Sequence, residues 1–557
     1  MPSSTPPPPR TADRTPLLGS QSHSESGTDL AEQGGKLVLR EGDATLFSCI
    51  ANLANTIIGT GALAMAHAFS GEGLVPGAAM VLFCGFTAYL GLYLLTRSAA
   101  LAPHRAASFS ALSQLTFPQL ARLFDFAVAL KCFGVSISYL IVIGGLMPKV
   151  VRSFVPALEL TSIWLDRRLW ILASMTLLCP LAFLRKLDSL KVTSYIALCA
   201  IAYLVFIVLF YTFLDASELP PPGEVELFKF GPSFIQSLPV QIFAFTCAQN
   251  IFSVFNELRD NSQARLDLVI GSSIGSAAAI YEVLGILGYL AFGSKVGGNL
   301  IEMYPHSTAV SICQSGIVIL VLFSYPLQLH PARASLDKFL FPSSPSSSSS
   351  SLPQRAPSVV AARPARRSSR RGLSAESESE EEEDDEEEDT STLADDPKAF
   401  SSATPRDAAA ASSETEIPLA RFIVESSVIL FATFVIAMFV SSLETVLGFV
   451  GATGSTTISF ILPSIFFLSL FKDSRDPKDR RLRWLAVLLL VWGFVVMFLS
   501  LSMNIYHLVQ QPETDATNSL HTLGLLGGKP HAAQAAAAAA AVPATLLGPT
   551  TELPIDG

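Results

Sequence analysis

Asn52-Leu-Ala-Asn-Thr-Ile-Ile-Gly-Thr-Gly-Ala-Leu-Ala-Met-Ala66 lies inside the first long apolar segment of the chain, yet it contains two asparagines, two threonines and three closely spaced polar or small residues at 59–61. An unpaired amide in hydrocarbon is costly, and a glycine weakens a helix by about 1 kcal/mol. Close packing through small residues would explain the glycines but not the polar side chains. The stretch therefore predicts a broken membrane helix beside a polar cavity, with the positive end of the restarted half-helix facing a bound anion such as a carboxylate. The expected ligand contacts are Thr56, Gly59, Thr60 and Gly61.

Composition places the chain among multi-span membrane proteins, since 50% of its 557 residues are hydrophobic and 15% are charged. The net charge of −10 is no guide to partners, because the acidic run 380–389 alone accounts for that value. We therefore infer a lipid bilayer as the surroundings and no nucleic-acid partner. All seven cysteines fall in apolar segments without metal-ligand spacing, so we expect no disulfide framework and no metal site.

The chain contains eleven apolar segments in succession. Most of them are long enough to cross a bilayer as a helix, which takes about 20 residues. They are residues 43–69, 74–96, 120–147, 168–184, 191–214, 233–256, 266–293, 307–330, 418–440, 443–470 and 483–507. Basic residues such as Arg185 and Lys186 concentrate in alternate loops, which predicts a cytosolic N-terminus. The sequence thus predicts an all-α polytopic membrane protein with eleven transmembrane helices.

The same segments define the expected domain organisation. It comprises a disordered cytosolic tail (1–42), transmembrane helices 1–8 (43–330), a disordered cytosolic loop (331–417), transmembrane helices 9–11 (418–507) and a disordered lumenal tail (508–557). Serines abut the basic and acidic blocks of the loop, which indicates a regulatory role, with a neutral spacer as the open alternative.

The first tail contains a sorting motif. Asp13-Arg-Thr-Pro-Leu-Leu18 matches the acidic dileucine pattern, which coat adaptors read as an address. Asp13, Leu17 and Leu18 are therefore predicted to bind a sorting adaptor, with a chance match as the alternative.

The sixth segment mirrors the first if the first ten spans form a five-plus-five inverted repeat, because helices 1 and 6 are then both broken. The sixth segment contains Pro239, and Thr246, Gln249 and Asn250 form a polar cluster at mid-depth. Carbonyls freed at this break would receive an ammonium group while the first break holds a carboxylate. The two breaks together predict a site for a zwitterionic α-amino acid.

Five motifs carry a family resemblance: Asn55-Thr-Ile-Ile-Gly-Thr-Gly-Ala62, Lys131-Cys-Phe-Gly-Val-Ser-Ile-Ser-Tyr-Leu140, Phe245-Thr-Cys-Ala-Gln-Asn-Ile-Phe252, Ser324-Tyr-Pro-Leu-Gln-Leu-His-Pro331 and Phe449-Val-Gly-Ala-Thr-Gly-Ser455. With these motifs the chain resembles the amino acid/auxin permease family, and within it the fungal vacuolar amino acid transporters, which are related to animal sodium-coupled neutral amino acid transporters. The resemblance implies eleven spans with the five-plus-five inverted repeat. The chain departs from the family at Ala248, where a histidine is expected, and in the charged insertion 341–417.

Ionisable residues within apolar segments are candidates for ion coupling. Lys131 and Glu282 are the only ones expected to lie deep in the spans, whereas Asp125 and Glu425 are expected at the interface. Either deep residue is a candidate proton carrier, Glu282 first, and each could instead be a structural partner of a carbonyl or carboxylate. If sodium is the coupling ion, the expected ligands are carbonyls of the first span together with Ser324.

These features predict a secondary active transporter rather than an enzyme, because no nucleophile–base set lies in the apolar segments. The transporter is expected to move amino acids across the vacuolar membrane toward the cytosol, coupled to protons and without a cofactor. Two alternatives stay open. One is a sodium-coupled amino acid transporter, and the other is an amino acid sensor (transceptor) with little flux that signals through the disordered loop.

Overall fold

A computed structural model shows a chain that is helical over nearly all the residues the structure describes, which are 42, 44–102, 105, 107–159, 162–183, 191–341 and 418–522. Within these ranges there is no β-strand, and the one β-type pairing is an isolated bridge between Ala44 and Leu258. The predicted all-α polytopic fold is confirmed. The sorting residues Asp13, Leu17 and Leu18 and most of the loop 331–417 lie outside the described residues.

The described ranges contain fifteen α-helices. They are α1 (Leu46–Ile57), α2 (Thr60–Glu72), α3 (Leu74–Ala99), α4 (Phe109–Thr116), α5 (Ala121–Phe154), α6 (Arg167–Ala182), α7 (Lys191–Phe213), α8 (Pro232–Ala244), α9 (Ala248–Glu257), α10 (Gln263–Phe292), α11 (Thr308–Leu340), α12 (Leu419–Phe439), α13 (Leu443–Val450), α14 (Leu462–Leu470) and α15 (Pro477–Thr522).

Eight helical segments in this part of the chain are long and apolar enough to cross a membrane, and the bent pair α1–α2 makes nine. All eleven predicted segments contain helix, but α6 has only 16 residues, and only the part Ala197–Phe213 of α7 counts as a short apolar helix. The count of eleven spans, the inverted repeat and the N-terminal orientation therefore stay predictions.

Two helices extend beyond the predicted domain bounds. α11 continues past residue 330 to Leu340, and α15 continues past residue 507 to Thr522. Pro331 lies inside α11, where a proline removes one backbone donor and neighbouring helices can hold such a helix together.

Local signals define the first span. The Thr45 side chain caps α1 by accepting a hydrogen bond from Ser48 N at 3.3 Å. Gly73 ends α2 with a φ of +86°, a backbone conformation that favours glycine. Between these ends the axes of α1 and α2 differ by 51°, so the first span is broken as predicted.

The broken spans lie at the centre of the helix packing. α10 packs against α1, α2 and α3, and α8 packs against α2. α5 and α11 pair along much of their length. Two π-helical stretches, Gly451–Ser455 and Thr457–Ile461, join α13 to α14, and the first of them contacts both α5 and α8. Such π-helical turns are frequent at functional sites.

Backbone hydrogen bonds fix both ends of the broken spans. At one end, Ala44 N donates to Glu257 O at 2.9 Å and joins the start of α1 to the end of α9. At the other end, Lys229 N donates to Glu72 O at 3.1 Å and joins the end of α2 to the segment before α8. The two half-helix pairs are therefore tied to each other above and below the breaks.

Candidate functional site

The first break consists of Ile58 and Gly59, between α1 and α2. Ile58 N still donates to Ala54 O at 2.9 Å, so α1 closes its last turn before the chain changes direction. Thr60 and Gly61 are the first two residues of α2, where backbone amides have no acceptor within the helix. The positive end of α2 therefore presents free donors at the break, which is the feature an anion-binding half-helix requires.

The second break consists of residues 245–247, between α8 and α9. Thr246 bonds back to α8: its N donates to Phe243 O at 3.0 Å and its Oγ1 donates to Ile242 O at 2.8 Å. Pro239 leaves Ile235 O without its usual helical donor, and Ser500 Oγ reaches this carbonyl at 3.3 Å. The carbonyls that precede this break are thus largely bonded within the protein.

The two breaks touch each other. Asn250 Nδ2 donates to Thr56 Oγ1 at 2.7 Å, and Thr56 Oγ1 donates to Asn52 O at 2.9 Å. A Cβ added at Gly61 would lie 2.6 Å from Ala244 Cβ, so glycine is needed where α2 crosses α8. The structure therefore brings together residues that the sequence assigned to two separate halves of one site.

Tyr281 on α10 connects the breaks, and the sequence analysis missed it. Its hydroxyl lies 2.7 Å from Ile57 O and 2.9 Å from Ala244 O, the carbonyls that end α1 and α8. A hydroxyl has one proton, so the two carbonyls share it. The ring is fully buried and packs edge-on against Phe245, with centroids 5.1 Å apart. The only sequence signal was a tyrosine next to Glu282 in an apolar segment. Ala244 O, at the break whose carbonyls were expected to receive the substrate ammonium, is therefore already hydrogen-bonded.

A cavity of about 20 Å³ lies between the breaks, a volume that suits a water-sized group. Its lining residues are Thr56, Ile57, Gly59, Thr60, Gly61, Lys131, Val135, Tyr139, Phe243, Thr246 and Gln328. Five of the seven predicted substrate contacts therefore line one cavity, and Asn250 reaches it through Thr56. Thr60 also fixes α2 to α5, because Thr60 Oγ1 and Ser138 Oγ are 3.2 Å apart.

Besides Asn250, three predicted site residues do not line the cavity: Gln249, Glu282 and Ser324. The side-chain amide atoms of Gln249 and both carboxyl oxygens of Glu282 are buried without a hydrogen-bond partner in the described structure. Ser324 lies beside the hydroxyl of Tyr139, as Gln328 does. Tyr139 and Gln328 line the cavity, but Ser324 does not. Side-chain direction decides these differences, and a helical sequence pattern alone does not specify it.

Lys131 is the charged member of the cavity lining. It is 3% exposed, and the described residues offer its ammonium no hydrogen bond or ion pair. A Cβ added at Gly454 would lie 2.8 Å from Lys131 Cβ, so the π-helical stretch packs directly against this part of α5. Gln328 Oε1, also in the lining, is buried without a partner in the described structure.

Ionisable groups other than Lys131 and Glu282 are also enclosed by the helices, while the depth predicted for these two in the membrane stays a prediction. Glu72 is fully buried at the end of α2 and accepts a hydrogen bond from Gln241 Nε2 at 2.8 Å. Glu425 and Asp125, expected at the interface, are 4% and 7% exposed. Their burial depends on neighbouring helices, whose positions the sequence does not give.

The chain is similar to known amino acid transporters over most of its length. Residues 42–506 match the family described as transmembrane amino acid transporter protein. Vacuolar amino acid transporter 5 of Schizosaccharomyces pombe is 37% identical, over 83% of this chain and 95% of that protein. Vacuolar amino acid transporter 6 of Saccharomyces cerevisiae is 33% identical, over 82% of this chain and 98% of that protein. The crystal structure of MhsT in complex with L-phenylalanine aligns with 82% of this chain and 100% of its own at 11% identity and a TM-score of 0.49, which is too remote to interpret.

Proposed function

Since the chain belongs to the transmembrane amino acid transporter family, we propose that it is a secondary active transporter that moves amino acids across the vacuolar membrane. The names of the two fungal relatives support the substrate class and the membrane. The observation that carries the proposal is the cavity between the two broken helices, where the positive end of α2 meets hydroxyl groups from α1 and α2 and from the second break. This arrangement suits a substrate with one carboxylate and one ammonium group.

Substrate binding begins at the start of α2 in this proposal. The backbone amides of Thr60 and Gly61 donate to the carboxylate. The hydroxyls of Thr56 and Thr246 donate their protons to backbone carbonyls, so their oxygens accept hydrogen bonds from the substrate ammonium. A cavity of about 20 Å³ is smaller than an amino acid, so the surrounding helices must separate to admit one. The Asn250–Thr56 hydrogen bond joins the two breaks in the closed arrangement and must yield in that step.

Energy coupling is the finer part of the proposal: a proton moves with the amino acid from an acidic lumen to the cytosol. One pH unit is worth about 1.4 kcal/mol, so two units give roughly hundredfold concentrating power per proton. Glu282 is the first candidate carrier, because its buried carboxyl has no hydrogen-bond partner in the described structure and its neighbour Tyr281 contacts both breaks. A sodium ion held by carbonyls of the first break with Ser324 is the competing arrangement.

Transport in reconstituted vesicles tests both the amino acid transport and its coupling to protons. Uptake and efflux of a panel of labelled amino acids are measured under imposed proton or sodium gradients. We expect proton-driven flux in the wild-type protein, and in Glu282→Gln we expect amino acid exchange without proton-driven accumulation. Glu218→Gln, which neutralises an exposed loop carboxylate, is the matched control and should transport normally.

The transport proposal and the proton-coupling proposal are contradicted by different results. An absence of flux for every amino acid would reject the transporter and favour the sensor. Sodium-stimulated flux that a protonophore does not affect would keep the transporter but reject proton coupling.

A further inference from the structure

The charge of the cavity is one-sided. Of its eleven lining residues, Lys131 is charged and none is acidic. The start of α2 adds partial positive charge to the same small space. The buried carboxyl of Glu72 is at the far end of α2, about 18 Å along the helix at 1.5 Å per residue. The described residues around the cavity thus supply positive charge without a balancing anion.

Lys131 is held at the cavity by its helix. Val135 and Tyr139 follow it at intervals of four residues on α5 and line the same cavity, so one face of α5 points into it. The Thr60–Ser138 contact holds α5 against α2, and Gly454 packs on the Lys131 backbone from the other side. A lysine near a span end can extend its ammonium to the membrane surface, but this side chain is 3% exposed, and its residue lies ten positions, or about 15 Å, after the start of the 34-residue helix.

A buried ammonium without a partner is unfavourable, and an anion bound beside it removes that cost. An amino acid brings a carboxylate to this cavity. A second cation in the same space would instead be repelled, since like charges interact strongly where water is excluded.

We infer that Lys131 is a specificity-determining residue of the substrate site: it binds a carboxylate of the substrate and restricts the site to amino acids with neutral or acidic side chains. Basic amino acids are rejected because their side-chain cation meets the Lys131 ammonium. The inference rests on the proposed transport function and names its substrate class.

Ligand-induced thermal stabilisation of the purified full-length protein tests this without requiring turnover. The probes are L-glutamate, L-glutamine and L-arginine, and uptake of the same three in vesicles is measured in parallel. The wild-type protein should bind glutamate or glutamine at least tenfold more tightly than arginine. In Lys131→Met, which removes the charge and keeps the chain length, this preference should fall at least tenfold, and Lys131→Arg should restore it in part.

Lys149→Met is the matched control. Lys149 lies on the same helix but does not line the cavity, and its ammonium forms an ion pair with the Glu302 carboxylate at 2.9 Å. This variant should leave the preference unchanged. Equal binding of arginine and glutamine by the wild-type protein, or an unchanged preference in a folded Lys131→Met, would overturn the inference while amino acid transport stands. If the wild-type protein neither binds nor transports any of the panel, the proposed function falls first and this inference falls with it.

Discussion

Replacing Tyr281 by phenylalanine tests whether one hydroxyl holds both breaks in place. The hydroxyl shares its proton between Ile57 O at 2.7 Å and Ala244 O at 2.9 Å, in a fully buried setting. A buried carbonyl left without a donor costs about 1–3 kcal/mol. Ile57 O keeps its hydrogen bond from Gly59 N at 2.9 Å, so only Ala244 O is left without a donor among the described residues, and we expect a loss of about 1–3 kcal/mol. The ring contact with Phe245 is kept by phenylalanine, so the loss reports on the hydroxyl.

The assay combines thermal unfolding of the purified protein with amino acid uptake in vesicles. Tyr281→Phe should lower the unfolding midpoint by several degrees and reduce uptake, because the ends of α1 and α8 are no longer held together. Tyr289→Phe is the control: this tyrosine lies on the same helix and is equally buried, but its hydroxyl accepts one bond, from Glu226 N at 3.0 Å, away from the breaks. Its variant should lose about 1 kcal/mol and keep transport. If Tyr281→Phe takes up amino acids and unfolds at the same temperature as the wild-type protein, the Tyr281 hydroxyl does not hold the two breaks together.

Three further predictions concern the substrate site and the cellular location of the protein. Gly61→Val should abolish substrate binding while the protein still inserts, because even a Cβ at this position collides with α8. Gly59→Ala should fold normally, since its Cβ would meet no atom within 4 Å, and equal damage in both variants would contradict the crossing argument. Asn250→Ala should weaken substrate binding by about 1–2 kcal/mol through loss of its bond to the other break, as measured by ligand-induced stabilisation. Leu17→Ala combined with Leu18→Ala should shift the protein away from the vacuolar membrane in fluorescence microscopy, and an unaltered distribution would mark the motif as a chance match.

The broken helices could be predicted because their causes are local. Glycines weaken a helix wherever they stand, so the interruption at Gly59 follows from the chain itself, whereas Pro239 lies inside α8 and the second break comes only after Ala244. The polar cluster at Thr246 and Asn250 was likewise readable, since polar groups at membrane depth require partners. Local chemistry thus sufficed for the first break and for the polar residues of the second.

The rest of the site depends on contacts between distant helices. Tyr281 matters because α10 crosses both breaks, and Glu72 is buried because Gln241 of α8 reaches it. Gln249 and Glu282 were placed at the site by depth alone, whereas their positions around the helix axis direct them elsewhere. Depth follows from hydropathy, but the direction of a side chain follows from packing that one sequence does not display.

The long separation between the partners of the first break has a consequence for synthesis. Asn250 stands 194 residues after Thr56, and Tyr281 stands 224 residues after Ile57. While the ribosome is still making the intervening spans, the opening in the first span has neither partner and faces lipid or the insertion machinery. Insertion and assembly are therefore separate events for this chain. A nascent chain that stops before α10 would display an unfinished polar gap in the bilayer, which cellular quality control can recognise and remove.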